Sequence, residues 1–254
     1  MISKEELLKI AGKKGIFNRG YAEKDYLLEL MLSAISSETK DELVFKGGTC
    51  ISKFYAAGRF SEDLDFSAVK KIDIDKLLSR VTMKLKQYDI EAEITGKKEP
   101  FSSILTTIHA KGPLYTGDKR TMAKLRVDIN FKSEVVLPAE TKMHVSIYPD
   151  IPPFSVIVMR EEEIFAEKVR AALTRNKPRD VYDLWLLLEK GVSKDMPLIK
   201  QKLKYYNMDY NETIFKQSID AKEGMWQKDL APLVFGALPS FNEAKKKILS
   251  AFRG

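Results

Sequence analysis

At 254 residues the chain is long enough to bury one large core or two modest ones, and its 31% charged and 44% hydrophobic residues exclude a disordered or membrane chain. A formal charge of +7, spread over both halves, favours a polyanionic partner met by a patch and excludes a basic tail. Cys50 is the only cysteine, which rules out an intramolecular disulfide and a cysteine-based zinc site; with no signal-like amino terminus and no apolar run near the roughly 18 residues of a spanning helix, a reducing, cytoplasmic setting is expected.

In chain order, Ser3 and Glu6 form a Ser-x-x-Glu start ahead of Leu7, Leu8 and Ile10, which predicts a short capped helix over 3–11. YAEKDYLLELMLSAISS at 21–37 places Tyr26, Leu27, Leu30, Met31 and Ala34 on one stripe, so a second helix should bury that face. Leu43-Val44-Phe45 is a strand running into Gly47-Gly48, and TCISKFYAA has helical spacing, with Ile51, Phe54 and Tyr55 on one side. FSEDLDFSA alternates apolar Phe60, Leu64 and Phe66 with Ser61, Asp63 and Asp65, so both aspartates share the polar face of a strand. Asp73 or Asp75 caps a helix across IDKLLSRVTMKLKQY. The runs IEAEIT, SSILTTIHA, KLRVDINF and FSVIVM then read as strands, making residues 43–159 a mixed α/β sheet. From 161 onward EEEIFAEKVRAALTR, PRDVYDLWLLLEKG and the remaining segments are helical. The expected division is N-terminal helices packing on the core at 1–40, the core itself at 41–160 and a helical C-terminal domain at 161–254.

Two acids at i and i+2 on a strand are placed to share one hard divalent cation, and Asp128, between Val127 and Ile129, can supply a third from a neighbouring strand. Glycines between a strand and a helix leave amides uncovered, so Gly47, Gly48 and Thr49 can cradle a phosphate, with Lys53 one turn on. Each feature has a structural reading beside the chemical one. Gly-Gly ends many strands, an Asp-x-Asp pair occurs on many solvated strands, and Asp128 can be a solvated strand residue.

Taken together, KGGTCISK at 46–53 and RFSEDLDF at 59–66 resemble the first two motifs of the AbiEii toxin family, within the DNA polymerase β superfamily of nucleotidyltransferases. IFAEKVRAALTR and KPRDVYDLWLL resemble its third and fourth motifs, so the likeness runs over roughly 43–188. What this resemblance implies is an α+β fold: a polymerase β-like nucleotidyltransferase core with a mixed sheet flanked by helices, followed by a helical C-terminal domain. It implies an enzyme that uses Mg²⁺, or Mn²⁺, to transfer a nucleoside monophosphate from an NTP to an RNA acceptor, the tRNA 3′ end first, releasing pyrophosphate. A cognate antitoxin encoded nearby would be the protein partner. Metal ligands would be Asp63, Asp65 and Asp128; Gly47, Gly48, Thr49, Lys53, Arg59, Ser61 and Lys168 would bind the nucleotide; Lys168, Asp180 and Asp183 would join the acids in catalysis.

Alternatives stand beside these. Lys168 can snorkel from a core-facing helix, and either Asp180 or Asp183 can be the functional acid of the fourth motif, Asp180 being also a simple helix-start acid. Arg59, Arg175, Arg179, Tyr205, Tyr206, Trp226 and Lys245–Lys247 are candidates for an RNA surface, or else a helical core with a solvated basic face. The acceptor can instead be a protein or small-molecule hydroxyl, and a non-catalytic nucleotide- or RNA-binding module is the reading from another class. His109 and His144 have no partner pattern, and Cys50 reads as a packing residue.

Overall fold

Ser3 accepts the Glu6 amide and starts α1 (Lys4–Lys13), as its capping pattern predicts. The computed structural model describes residues 1–99, 102–132 and 134–253. Asn18 caps α2 (Arg19–Glu38), whose predicted stripe is buried, but so are Glu23, Asp25 and Glu29, so this helix is enclosed on nearly every side. Buried acids of this kind require partners.

Seven strands form one mixed sheet in the order β3-β4-β5-β2-β1-β7-β6, the α+β architecture expected. They are β1 (Leu43–Lys46), β2 (Asp63–Ala68), β3 (Ala92–Lys98), β4 (Ser103–Ala110), β5 (Ala123–Asn130), β6 (Glu140–His144) and β7 (Phe154–Val158). At the centre, β2 runs antiparallel to β1 and parallel to β5, while β1 runs parallel to β7. Between β1 and β2 the chain makes α3 (Gly47–Cys50), which loosens at once into a π-helical turn over Ile51–Tyr55 where a regular helix is predicted. After β2, Asp73 caps α4 (Ile74–Lys86), which packs with α2 beside the sheet.

Two strands depart from their sequence patterns. IEAEIT pairs only from Ala92 and continues through Lys98, with a register shift between Ile94 and Gly96. This edge strand is exposed on both faces, so no alternation marks it. ETKMH carries no strand pattern either, yet forms β6 against β7, because the ladder of an existing strand organises a polar segment.

The C-terminal part contains α5 (Glu161–Thr174), α6 (Pro178–Glu189), α7 (Met196–Lys204), α8 (Glu212–Asp220), α9 (Trp226–Leu230) and α10 (Phe241–Phe252). A 3₁₀ turn at Glu223–Met225, containing Gly224, divides α8 from α9. These helices are stitched to the sheet region: Tyr182 Oη donates to the Gly58 carbonyl at 3.1 Å, the Phe60 amide to Leu233 at 2.8 Å, and the Phe235 amide to Gly58 at 2.9 Å. One cluster of buried hydrophobic side chains runs from Ile2 to Phe252.

Candidate active site

The glycine pair is explained by what lies beneath it. Gly47 has φ +78°, and a Cβ there would stand 2.2 Å from Asp65 Oδ2; a Cβ on Gly48 would stand 2.6 Å from Arg59 Nη2 and 2.9 Å from Ser61 Oγ. The turn therefore crosses directly over the acidic strand, which only a residue without a side chain permits. Thr49 fastens the two together, its hydroxyl donating to the Asp63 carbonyl.

Asp65 on β2 is in register with Asp128 on β5, and Asp63 with Arg126. The Asp65 carboxyl is pushed up to about 6, first by burial and then by the charges of Asp63 and Asp128. Burial also raises Asp128, against a hydrogen bond from Ser103. Asp128 Oδ1 is buried and has no hydrogen-bond partner among the described residues. Crowded acids and an orphaned carboxylate oxygen fit a divalent cation. Asp63 is turned aside, accepting Arg126 Nε at 2.8 Å. Among the described residues no three acidic, His or Cys side chains converge to hold a metal; the fit rests on Asp65 and Asp128, while Asp63 is paired with Arg126.

These two acids border a cleft of about 110 Å³, with Lys46, Gly47 and Asn130 beside them and Glu167, Lys168, Arg170, Arg175 and Tyr206 across it. Lys168 is anchored, not snorkelling: its ammonium lies 2.9 Å from Asp180 Oδ1 and 2.6 Å from Asp183 Oδ2. Both fourth-motif acids thus act on the same lysine. Asp183 also receives Arg59 in a two-pronged pair, Nε and Nη2 each at 2.7 Å. Although burial pushes Asp183 up, Arg59 and Lys168 hold it at about 2. Neither Asp180 nor Asp183 borders the cleft; they brace the lysine that does.

Five of the expected nucleotide contacts, Gly48, Thr49, Lys53, Arg59 and Ser61, are not among the residues that line the cleft. Lys53 points to the far side of its turn, 2.9 Å from Asp25 and 2.7 Å from Glu29, because those buried acids of α2 need cations. Lys14 pairs with the same two acids, and His144 Nε2 lies 3.0 Å from Glu29. Arg59 is 3% exposed, donates to both Asp183 oxygens and the Phe60 carbonyl, and is not among the residues that line the cleft. Ser61 and Gly48 sit behind the turn, and of the turn only Gly47 borders the cleft. Trp226 is buried, with its indole donating to Pro239, and Lys245 and Lys247 pair with Asp220 and Glu189. Arg175 and Tyr206, from the RNA-surface candidates, do reach the cleft.

Sequence reasoning passed over Lys46, Asn130, Glu167 and Arg170. For Glu167 a signal existed: Ile164, Glu167, Lys168 and Ala171 form one stripe of α5 at helical spacing, and that stripe lines the cleft, joined by Arg175 just past the helix end.

A sequence model of the family described as nucleotidyl transferase AbiEii toxin, type IV TA system, matches residues 30–247. Among solved structures, the fold is similar to MenT4, a nucleotidyltransferase toxin from Mycobacterium tuberculosis H37Rv, with TM-score 0.70 and 18% identity over 99% of this chain and 89% of that one. It is also similar to JHP933 from Helicobacter pylori, with TM-score 0.55 and 19% identity over 91% of this chain and 89% of that one. At these identities the likeness is one of fold. No curated protein sequence matches the chain.

Proposed function

Since this chain belongs to the AbiEii family of nucleotidyl transferase toxins of type IV toxin–antitoxin systems, we propose that it moves a nucleoside monophosphate from an NTP, with Mg²⁺, onto an RNA hydroxyl, the tRNA 3′ end first. Membership itself makes the chain a nucleotidyltransferase toxin and implies an NTP substrate and an antitoxin partner. One observation carries the finer reading: Asp65 and Asp128 face a cleft that also holds Lys46, Lys168, Arg170 and Arg175. Paired acids among four cations suit a polyphosphate that arrives with a divalent ion.

Asp65 and Asp128, joined by Asp63 once it leaves Arg126, would hold that ion, which supplies neutralisation of the charge developing on the phosphates. Lys168, fixed in advance by Asp180 and Asp183, presents its ammonium to the nucleotide without having to reorganise. Asp128, whose proton affinity is raised by burial, is the group to accept the proton of the attacking hydroxyl. Arg170 and Arg175 form the rim against which an RNA backbone lies. The antitoxin is encoded in an adjacent reading frame, and the site of action is the cytoplasm.

Incubation with each labelled NTP, Mg²⁺ and total RNA tests this. Label at RNA 3′ ends, absent with Asp65→Asn, is expected. Label on a protein or small molecule alone overturns the RNA acceptor, and metal-dependent NTP binding without any transfer overturns the enzyme assignment. Toxicity on expression should disappear in Asp63→Ala.

A further inference from the structure

Lys46 ends β1 opposite Asp65 on antiparallel β2, and Asp65 is in register with Asp128 on parallel β5. A cation and two acids therefore form a row across three neighbouring strands, and all three border the cleft. Directly opposed residues share a face of the sheet, their Cβ atoms about 5 Å apart. From α5, Glu167 reaches the Lys46 ammonium with both carboxylate oxygens at 3.0 Å. Glu167 is in turn approached by Lys202 of α7 at 3.5 Å, and Lys202 also meets Glu163 at 2.5 Å.

This chain of charges differs from a simple buried pair. Burial pushes the Glu167 carboxyl up, but Lys46 and Lys202 hold it at about 2, so it stays ionised. Lys202 is the closer partner of Glu163, so Glu167 is held between Lys202 on one side and Lys46 on the other, and it fixes the Lys46 ammonium at the edge of the cleft. Lys46 also borders the open volume of the cleft beside Asp65 and Asp128, where a polyphosphate bound with a divalent ion would lie. A lysine is a compact point charge and needs to be held if its position is to select one ligand geometry.

Resting on the nucleotidyltransferase reading, we propose that Lys46 contacts the triphosphate of the NTP, and that Glu167 and Lys202 are positioning residues that fix where its charge stands. Glu167 and Lys202 thereby tie the helical C-terminal part to the nucleotide end of the cleft, independently of the Arg59–Asp183 brace.

The test is equilibrium binding of ATP, GTP, CTP and UTP, and of the four monophosphates, to the full chain in Mg²⁺, with thermal melts alongside. Lys46→Met should weaken the bound NTP by about tenfold or more while shifting the matching monophosphate by less than about twofold. Lys46→Arg, which keeps the charge, should restore most of the NTP preference. Equal losses for NTP and monophosphate, or none, overturn the proposal. If Lys46→Met does not fold, Glu167→Gln decides by sign. Simple electrostatics predicts tighter NTP binding when a negative charge is removed, whereas loss of positioning predicts weakening by about threefold. Tighter binding would leave Glu167 a mere counter-charge and overturn its role. Failure of the wild-type chain to bind any NTP would bring down the nucleotidyltransferase reading itself, and this inference with it.

Discussion

Gly47 carries two separable constraints, a positive φ and a missing Cβ over Asp65. Gly117 offers the control, since it has φ +94° but nothing within 4 Å of an added Cβ. Gly117→Ala should cost about 1 kcal/mol of backbone strain, and Gly47→Ala about 3 kcal/mol or more in urea unfolding, because the clash adds to the strain. Equal costs would mean that Asp65 moves aside freely. Asp65 itself makes a pH prediction. Its folded pKa lies above the ordinary carboxylate value, so its contribution favours the fold below about pH 4 and is lost as pH rises through about 6. In chelator, Asp65→Asn should therefore melt higher than wild type at pH 8, with the gap narrowing through about pH 6 and closing only near about pH 4. A divalent cation should raise the wild-type midpoint more at pH 8 than at pH 5 and leave the variant nearly unchanged.

The elements around the cleft are fixed by buried ion pairs, and these explain why two motif cations do not face it. The π-helical turn after α3 is held to α2 by Lys53 with Asp25 and Glu29. Lys53→Met should destabilise by about 3 to 5 kcal/mol, since it strips a cation from two buried acids, while the folded fraction binds NTP as before. Weaker NTP binding at unchanged stability would return Lys53 to the nucleotide. On α6, Asp183 joins Arg59 and Lys168, whereas Asp180 pairs with Lys168 and, among the described residues, its Oδ2 has no hydrogen-bond partner. Asp183→Asn should accordingly lower the urea midpoint much more than Asp180→Asn, and both should reduce NMP transfer through Lys168.

At the scale of the molecule, the helices after β7 supply one wall of the cleft and the sheet supplies the other. The same helices share one buried cluster with the sheet and cover the Gly58–Phe60 segment with hydrogen bonds. Both tryptophans, Trp185 and Trp226, lie in the helical part, whereas far-UV circular dichroism averages over the whole chain. Coincident urea transitions by the two probes are predicted, and a separate fluorescence transition would show that residues 161–254 unfold as their own unit.

The sequence by itself determined much of this protein. Periodicity located the capped α1, the buried stripe of α2, most strands and the helical second half, because those elements are one-sided and their pattern records which side faces the core. It also brought the glycine turn and the acids into one site, since the glycines and Asp65 are joined by a short connection whose geometry is local. What it left open was how each charge is spent. Lys53 and Arg59 look equivalent to Lys168 in a motif, but a cation's partner is set by which buried acid lies within about 3 Å after folding. Asp25, Glu29 and Asp183 are far away in the chain and hold the first two away from the cleft, while Lys46, paired with Glu167 and opposite Asp65 across a strand pair, borders it. Polar β6 was equally silent, because its strand state comes from β7's ladder and not from its own side chains. Local spacing fixes faces and turns; only tertiary structure decides which charges neutralise one another and which remain for a substrate.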